Sequence, residues 1–246
     1  MGRYKSNQPP TEANSFPQTY QPQGFPQQQG LQPRPQGMPP QQGGFPQQQM
    51  GQQGQYNQQD WPTSFPKPTI GIDRDGVIIE SKNIIKRYED VKYIDGSLEA
   101  IRKLRLKGHK MMMFSDQPNI RKGLMNDQDV NNIMNYMMQT FGQNGIFSID
   151  GFLYNTSDDP RDQFAKPNTG MLNRSKNEMG MDWTGGYYVG DTIEDVKMAI
   201  KFGVTPVLVR TGKGAKTEKE YFKGMNNKYE GVKVFDNLLS FADSLD

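Results

Sequence analysis

The chain has 246 residues, with 29 basic against 27 acidic side chains, no cysteine and a single histidine, His109. That length holds one large domain or a modest domain with an appendage, and the missing thiols exclude disulfides and thiolate metal sites. One imidazole leaves no basis for an all-protein zinc centre, and the absence of a leader peptide and of any apolar run of about 18 residues makes a cytoplasmic protein the expectation.

Thirteen of the 17 prolines and 19 glutamines fall in the first 68 residues, while residues 1–66 carry only Arg3, Lys5, Arg34, Glu12 and Asp60 as charges. Such a segment has too little apolar surface to offset the entropy of ordering its backbone, so 1–66 is expected to be a disordered Gln/Pro/Gly-rich tail. It contains an echo, Gly24-Phe25-Pro26-Gln27-Gln28-Gln29 against Gly44-Phe45-Pro46-Gln47-Gln48-Gln49. No hydrophobic period links the copies, which marks low complexity rather than a solenoid. Residues 67–246 have the length of one ordinary domain, and their near-neutral balance offers nothing to a nucleic acid backbone.

From Thr69 onward, short apolar runs alternate with segments of helical period, which predicts a parallel sheet covered on both faces by helices. Thr69-Ile70-Gly71-Ile72 reads as the first strand. Leu98, Ile101 and Leu104 follow Ser97 at helical spacing, with Gly108 as the closing residue. Lys110 to Phe114 is a second strand. Asp127 is the predicted N-cap of a helix carrying Val130, Ile133, Met134, Met137, Met138 and Phe141, ended by Gly142; its methionine stripe reads as core filling. Phe152-Leu153-Tyr154 is a further strand, and Gly170 to Met179 a helix stopped by Gly180. The strand Tyr187-Tyr188-Val189 precedes a helix from Ile193 to Phe202 closed by Gly203. Pro206 to Val209 and Val232 to Val234 are the last strands, and Leu238 to Leu245 the last helix.

Polar clusters follow the strands: Asp73-Arg74-Asp75-Gly76 after the first, Ser115-Asp116-Gln117 after the second, and Gly190-Asp191 ahead of the helix containing Asp195. In an open α/β sheet all three would face the crevice beyond the carboxyl ends of the strands. Alternation along an extended chain would point Asp73 and Asp75 together into it, with Asp191 supplying a further oxygen. Carboxylates held close repel, a bound cation relieves them, and hard oxygen donors select Mg²⁺. Each cluster alone also reads as a turn or a cap, Lys166 as a solvated loop residue and His109 as structural. It is their shared position at one edge of the sheet that points to a site.

In that order, Asp73-Arg74-Asp75-Gly76-Val77-Ile78, Ser115-Asp116-Gln117, Lys166-Pro167 and Val189-Gly190-Asp191 resemble the four motifs of haloacid dehalogenase (HAD)-like phosphatases. Tyr93-Ile94-Asp95-Gly96, Lys166 to Leu172 and Leu208 to Gly214 look like signatures of the D-glycero-D-manno-heptose-1,7-bisphosphate phosphatase and histidinol-phosphatase branch. The likeness runs from about Ile70 to Gly214. It implies a three-layer Rossmann-like HAD fold without a large cap domain, and a Mg²⁺-dependent hydrolysis of a small phosphate monoester such as a sugar phosphate. Asp73 would be the nucleophile, Asp75 the general acid and then base, and Ser115 and Lys166 the phosphate ligands. Asp73, the backbone carbonyl of Asp75 and Asp191 would hold the Mg²⁺, with Asp195 a supporting carboxylate.

Departures from that branch bear on substrate. Its cysteines and zinc-binding histidine have no counterpart between Asn155 and Phe164, so structural zinc is not expected. Its usual Arg before the Lys is Ala165, its Thr-Asn-Gln is Ser115-Asp116-Gln117, and the Lys after the last motif's Asp is Thr192. Two lost cations and one added anion would weaken binding of a doubly phosphorylated sugar. Two other functions stand beside this one. A polynucleotide 3′-phosphatase shares the four motifs but would want a basic or aromatic groove. An interaction protein would use the tail for weak association with a protein partner, its phosphatase domain secondary or inactive.

Overall fold

The computed structural model describes residues 18–20, 67–146, 148–222, 229 and 231–246. Gln18–Tyr20 form strand β1, the only part of the expected tail that is described; the remainder of 1–66 lies outside the described residues. The other strands are β2 (Ile70–Asp73), β3 (Met111–Asp116), β4 (Gly151–Asn155), β5 (Tyr187–Gly190), β6 (Thr205–Val209) and β7 (Lys233–Phe235). They form one sheet in the order β1-β4-β3-β2-β5-β6-β7. Strands β2 to β7 are parallel throughout; β1 runs antiparallel to β4, with Gln18 opposite Tyr154 and Tyr20 opposite Phe152. The sequence reading did not anticipate β1. It covers the outer edge of β4, where backbone N–H and C=O groups would otherwise stand unpaired.

The helices are α1 (Ser97–Leu106), α2 (Asp127–Gln143), α3 (Gly170–Met179), α4 (Ile193–Phe202), α5 (Gly214–Tyr221) and α6 (Leu238–Asp243). The strand period of two divides the core between the faces of the sheet. Ile70, Ile72, Met111 and Met113 join Ile101, Leu104, Ile133, Met134 and Phe241 on the face of α1, α2 and α6. Met112, Phe114 and Tyr188 face the other way, against Met171, Leu172, Met198 and Ala199 of α3 and α4. Three layers follow, and among the described residues no further domain is inserted. Met134 and Met137 are fully buried, so the methionine stripe is core, as expected.

The boundaries differ from the sequence reading in several places. The cap of α2 is Asn126 rather than Asp127: its side chain accepts from Asp129 N–H while the Asp129 carboxylate accepts from Asn126 N–H, a closed capping box. Gly142 lies inside that helix, which runs one residue further before Asn144 ends it. Strand β3 extends through Ser115 and Asp116, so that cluster sits on the strand end itself. The α5 helix was missed, because Gly214-Ala215-Lys216-Thr217 presents little apolar period; only Gly214 and Thr217 of it are buried. His109 is structural, as read: its Nδ1 lies 2.7 Å from the Pro68 carbonyl oxygen at the opposite end of the sheet from the polar clusters. No described helix is long and apolar enough to cross a membrane.

Candidate active site

Strand β2 delivers Asp73 to the middle of the carboxyl edge, since the residue before it, Ile72, pairs with Met113 of β3 on one side and Val189 of β5 on the other. The chain then bends at once. Arg74 N–H donates to the Phe114 carbonyl at 2.9 Å, and the Arg74 carbonyl accepts from the N–H groups of Ile78 and Ile79 at 3.1 Å. Gly76 sits at φ +94°, where a side chain is strained, and a Cβ there would stand 2.2 Å from Asp191 Oδ2. The motif's glycine is thus required twice, by its backbone and by the carboxylate packed on it.

Lys166 enters from the loop between β4 and α3 and is buried beneath the edge. Its Nζ donates to Asp73 Oδ1, lies 2.8 Å from Asp195 Oδ1, and stands 5.8 Å from the centre of the Tyr188 ring. Asp191 follows β5; its Oδ2 accepts from Lys213 N–H at 2.7 Å, while Oδ1 is buried with no hydrogen-bond partner among the described residues. Asp195 lies in the first turn of α4, where its Oδ2 accepts from Thr192 N–H at 3.1 Å and closes a capping box. Carboxylate oxygens of Asp73, Asp191 and Asp195 come within 4.8 Å of one another.

Three carboxylates at 5%, 1% and 2% exposure against one lysine leave the cluster short of positive charge. Burial raises the Asp73 pKa well above the ordinary carboxylate range; Lys166 opposes this, and Asp195, Asp191 and Asp75 add to it. Burial first, and Asp195 next, push Asp191 up to about 6. Burial works against the charged form of Lys166, but Asp195 and Asp73 outweigh it and hold its pKa well above the usual value. Such a cluster takes up a proton or a cation.

Asp75 lines the same cleft as Asp73, as expected, although β2 ends at Asp73 and the Asp75 carboxyl has hydrogen-bond partners of its own. Asp75 Oδ2 accepts from Arg74 Nε at 3.0 Å, from Ser115 Oγ at 2.8 Å and from Gln117 Nε2 at 3.2 Å, and Oδ1 accepts from Arg74 Nη2 at 3.1 Å. Ser115 therefore stands beside Asp75. Arg74 and Gln117 are site residues that sequence reasoning left without a role. The cleft holds about 410 Å³, with Lys82, Asn83, Asn119, Lys122 and Glu194 among its lining residues. Asp116 also lines it, its pKa raised by burial against the pull of Lys166 and Asn155.

Residues 163–241 match a HAD-hydrolase-like family model. The chain is 31% identical over 163 residues to the D-glycero-beta-D-manno-heptose-1,7-bisphosphate 7-phosphatase of Photorhabdus laumondii, covering 62% of this chain and 86% of that enzyme. The Pseudomonas aeruginosa 7-phosphatase is 32% identical over 177 residues, covering 71% of this chain and 95% of its own length. The chain belongs to the HAD-like phosphatases. Within them it falls in the heptose-bisphosphate phosphatase branch, as its motifs implied. A solved structure supports the same placement of this phosphatase. The D,D-heptose 1,7-bisphosphate phosphatase of B. bronchiseptica, complexed with magnesium and phosphate, superposes with a TM-score of 0.65 at 27% identity, over 72% of this chain and 97% of that one. This phosphatase is accordingly a phosphoric monoester hydrolase with the HAD fold.

Proposed function

We propose that this phosphatase hydrolyses a small phosphate monoester, a sugar phosphate or similar metabolite, through an aspartyl-phosphate formed on Asp73. The observation that carries this reading is the buried cluster of Asp73, Asp191 and Asp195 around Lys166 at the carboxyl edge of the sheet. Asp73 attacks phosphorus, and the leaving oxygen takes a proton from Asp75. Asp75 then withdraws a proton from water, whose oxygen displaces Asp73 from phosphorus. Lys166 and Ser115 meet the phosphoryl oxygens, Ser115 turning from Asp75 to do so.

The donor set fits Mg²⁺: it is all oxygen, and Asp191 Oδ1 is buried without a partner among the described residues. Asp73, the backbone carbonyl of Asp75 and Asp191 would hold the ion, which when bound offsets charge between an anionic nucleophile and an anionic phosphate. Asp195 supports the site by holding Lys166 and the start of α4. Chelation by EDTA is expected to abolish phosphate release from a monoester panel, and excess Mg²⁺ to restore it. A zinc-selective chelator is expected to leave activity and melting temperature unchanged; loss under that reagent, reversed by zinc alone, would contradict the Mg²⁺ reading.

The relatives' names include a 1,7-bisphosphate, but Ala165, Asp116 and Thr192 put fewer cations and one more anion around this cleft than the branch pattern carries. We therefore favour a monophosphorylated substrate. We also propose the division into a tail, 1–66, and a catalytic domain, 67–246. The site lies where β2, β3 and β5 end, whereas β1 lies beyond β4 at the margin of the sheet. Removing residues 1–66 should leave turnover of small esters within about twofold, and limited proteolysis should yield a stable core beginning near Pro62 to Pro68. Collapse of the truncated domain would move the boundary.

A further inference from the structure

Arg74 is 1% exposed, and it spends that burial on one neighbour. Its Nε and Nη2 grip the two oxygens of Asp75 at 3.0 and 3.1 Å, while Nη1 is buried with no partner among the described residues. Consecutive side chains on extended backbone diverge; these two meet because the chain bends at Arg74 directly after β2. A buried ion pair with an amino group unsatisfied is a poor device for stability, since apolar side chains in place of the whole pair often do as well or better. The Asp75 side chain keeps 23% of its surface exposed, on the cleft, and Arg74 holds it from the buried side.

Three side chains donate to Asp75, and two of them are linked to each other. Gln117 Nε2 donates to Ser115 Oγ at 2.6 Å as well as to Asp75, so both are disturbed when Ser115 turns to a phosphoryl oxygen. Arg74 is the donor that does not depend on Ser115. We infer that Arg74 is the positioning residue of this phosphatase, its planar fork keeping the Asp75 carboxyl aimed at the leaving oxygen and then at the attacking water after substrate has drawn Ser115 away. The inference rests on the roles proposed above for Asp73, Asp75 and Ser115. Lysine cannot replace the fork, because an ammonium is a point donor and reaches one oxygen at a time.

The two half-reactions separate this role from a structural one. With p-nitrophenyl phosphate, Asp73 attacks phosphorus, the P–O bond to the aryl group breaks and nitrophenolate departs as the anion, so no proton is needed. Release of Asp73 still requires Asp75 to take a proton from water as that water's oxygen bonds to phosphorus. In Arg74→Lys the rapid-mixing burst of nitrophenolate should stay within about twofold of wild type in rate. Its steady-state turnover should fall about 10²-fold, the lower range of a lost acid–base contribution. Arg74→Met should show the same split even where it melts lower than wild type, since it leaves Asp75 without its ion-pair partner and the split compares two steps of the same folded enzyme. Equal slowing of burst and turnover, or no slowing of either, would overturn the role assigned to Arg74. Full activity in an Asp73→Asn control would instead remove the reaction scheme beneath it, and the two failures cannot be confused.

Discussion

Asp73→Asn should lower turnover of any phosphate monoester by at least about 10⁴-fold, the scale of loss when a nucleophile is removed from a site otherwise intact. The substitution keeps the side-chain volume, and the amide oxygen can still accept from Lys166, which retains Asp195 as its second partner. Folding should not suffer. Burial already drives the Asp73 carboxyl toward its neutral form, so a neutral amide relieves repulsion from Asp191 and Asp195. The metal-free variant is expected to melt at or above the wild-type temperature, and the increment that Mg²⁺ adds to wild type should shrink. Phosphate release and thermal melting, each with and without Mg²⁺, check the pair of outcomes. Wild-type turnover in this variant would remove Asp73 from the chemistry.

Lys166→Met should be costly in both activity and stability. Lys166 is the cation buried against Asp73 and Asp195, and taking away one member of a buried ion pair costs about 3–5 kcal/mol because the remaining charges stay unsolvated. Loss of a donor to the transferring phosphoryl group is expected to cost a further factor of about 10² to 10³ in kcat. Two conditions should return part of the lost stability. Mg²⁺ would supply positive charge to the same carboxylates. Acid would help as well: a carboxyl whose pKa is raised on folding binds its proton more tightly in the folded state. The stability it contributes is therefore full below its unfolded pKa and is lost as pH rises through the folded value, which for Asp191 is about 6 with Lys166 in place and higher once that cation is removed. Urea unfolding of the metal-free variant should give its highest midpoint near pH 5 and fall toward pH 7.5. A midpoint equal to wild type at pH 7.5 without Mg²⁺ would show that Lys166 does not balance this cluster.

Much of the fold was written locally. Val130, Ile133, Met134, Met137 and Phe141 lie at helical spacing and form the buried stripe of α2, and Gly180 and Gly203 close α3 and α4 in left-handed conformations. Such signals depend on neighbours within a few residues, so periodicity and capping chemistry reach them. Where two local candidates competed, the choice needed coordinates. Asn126 took the cap from Asp127 because its side chain closes a reciprocal pair with Asp129, and Asp127 instead accepts from the Tyr154 hydroxyl at 2.9 Å.

The sequence by itself determined the inventory of the candidate site: acids at 73, 75, 191 and 195, a lysine at 166 and a serine at 115, each at a strand end, in a loop or in the first turn of a helix, in the order of the HAD-like phosphatases. Motif order survives in one dimension because each cluster is short and belongs to one element. The tertiary structure decided how that inventory is shared out. Asp195, separated from Lys166 by a helix and a strand, joins Asp73 and Asp191 around the lysine, whereas Asp75, two residues from Asp73, is held by Arg74, Ser115 and Gln117. The reason is geometric. Side-chain alternation holds only while the backbone stays extended, and the bend after Asp73 is fixed by hydrogen bonds from Arg74 to Phe114 of the neighbouring strand and from Ile78 and Ile79 back to Arg74. Parallel strand pairing across 41 and 117 residues then sets which carboxylates meet, and burial turns their proximity into the shortage of positive charge on which the proposed chemistry depends.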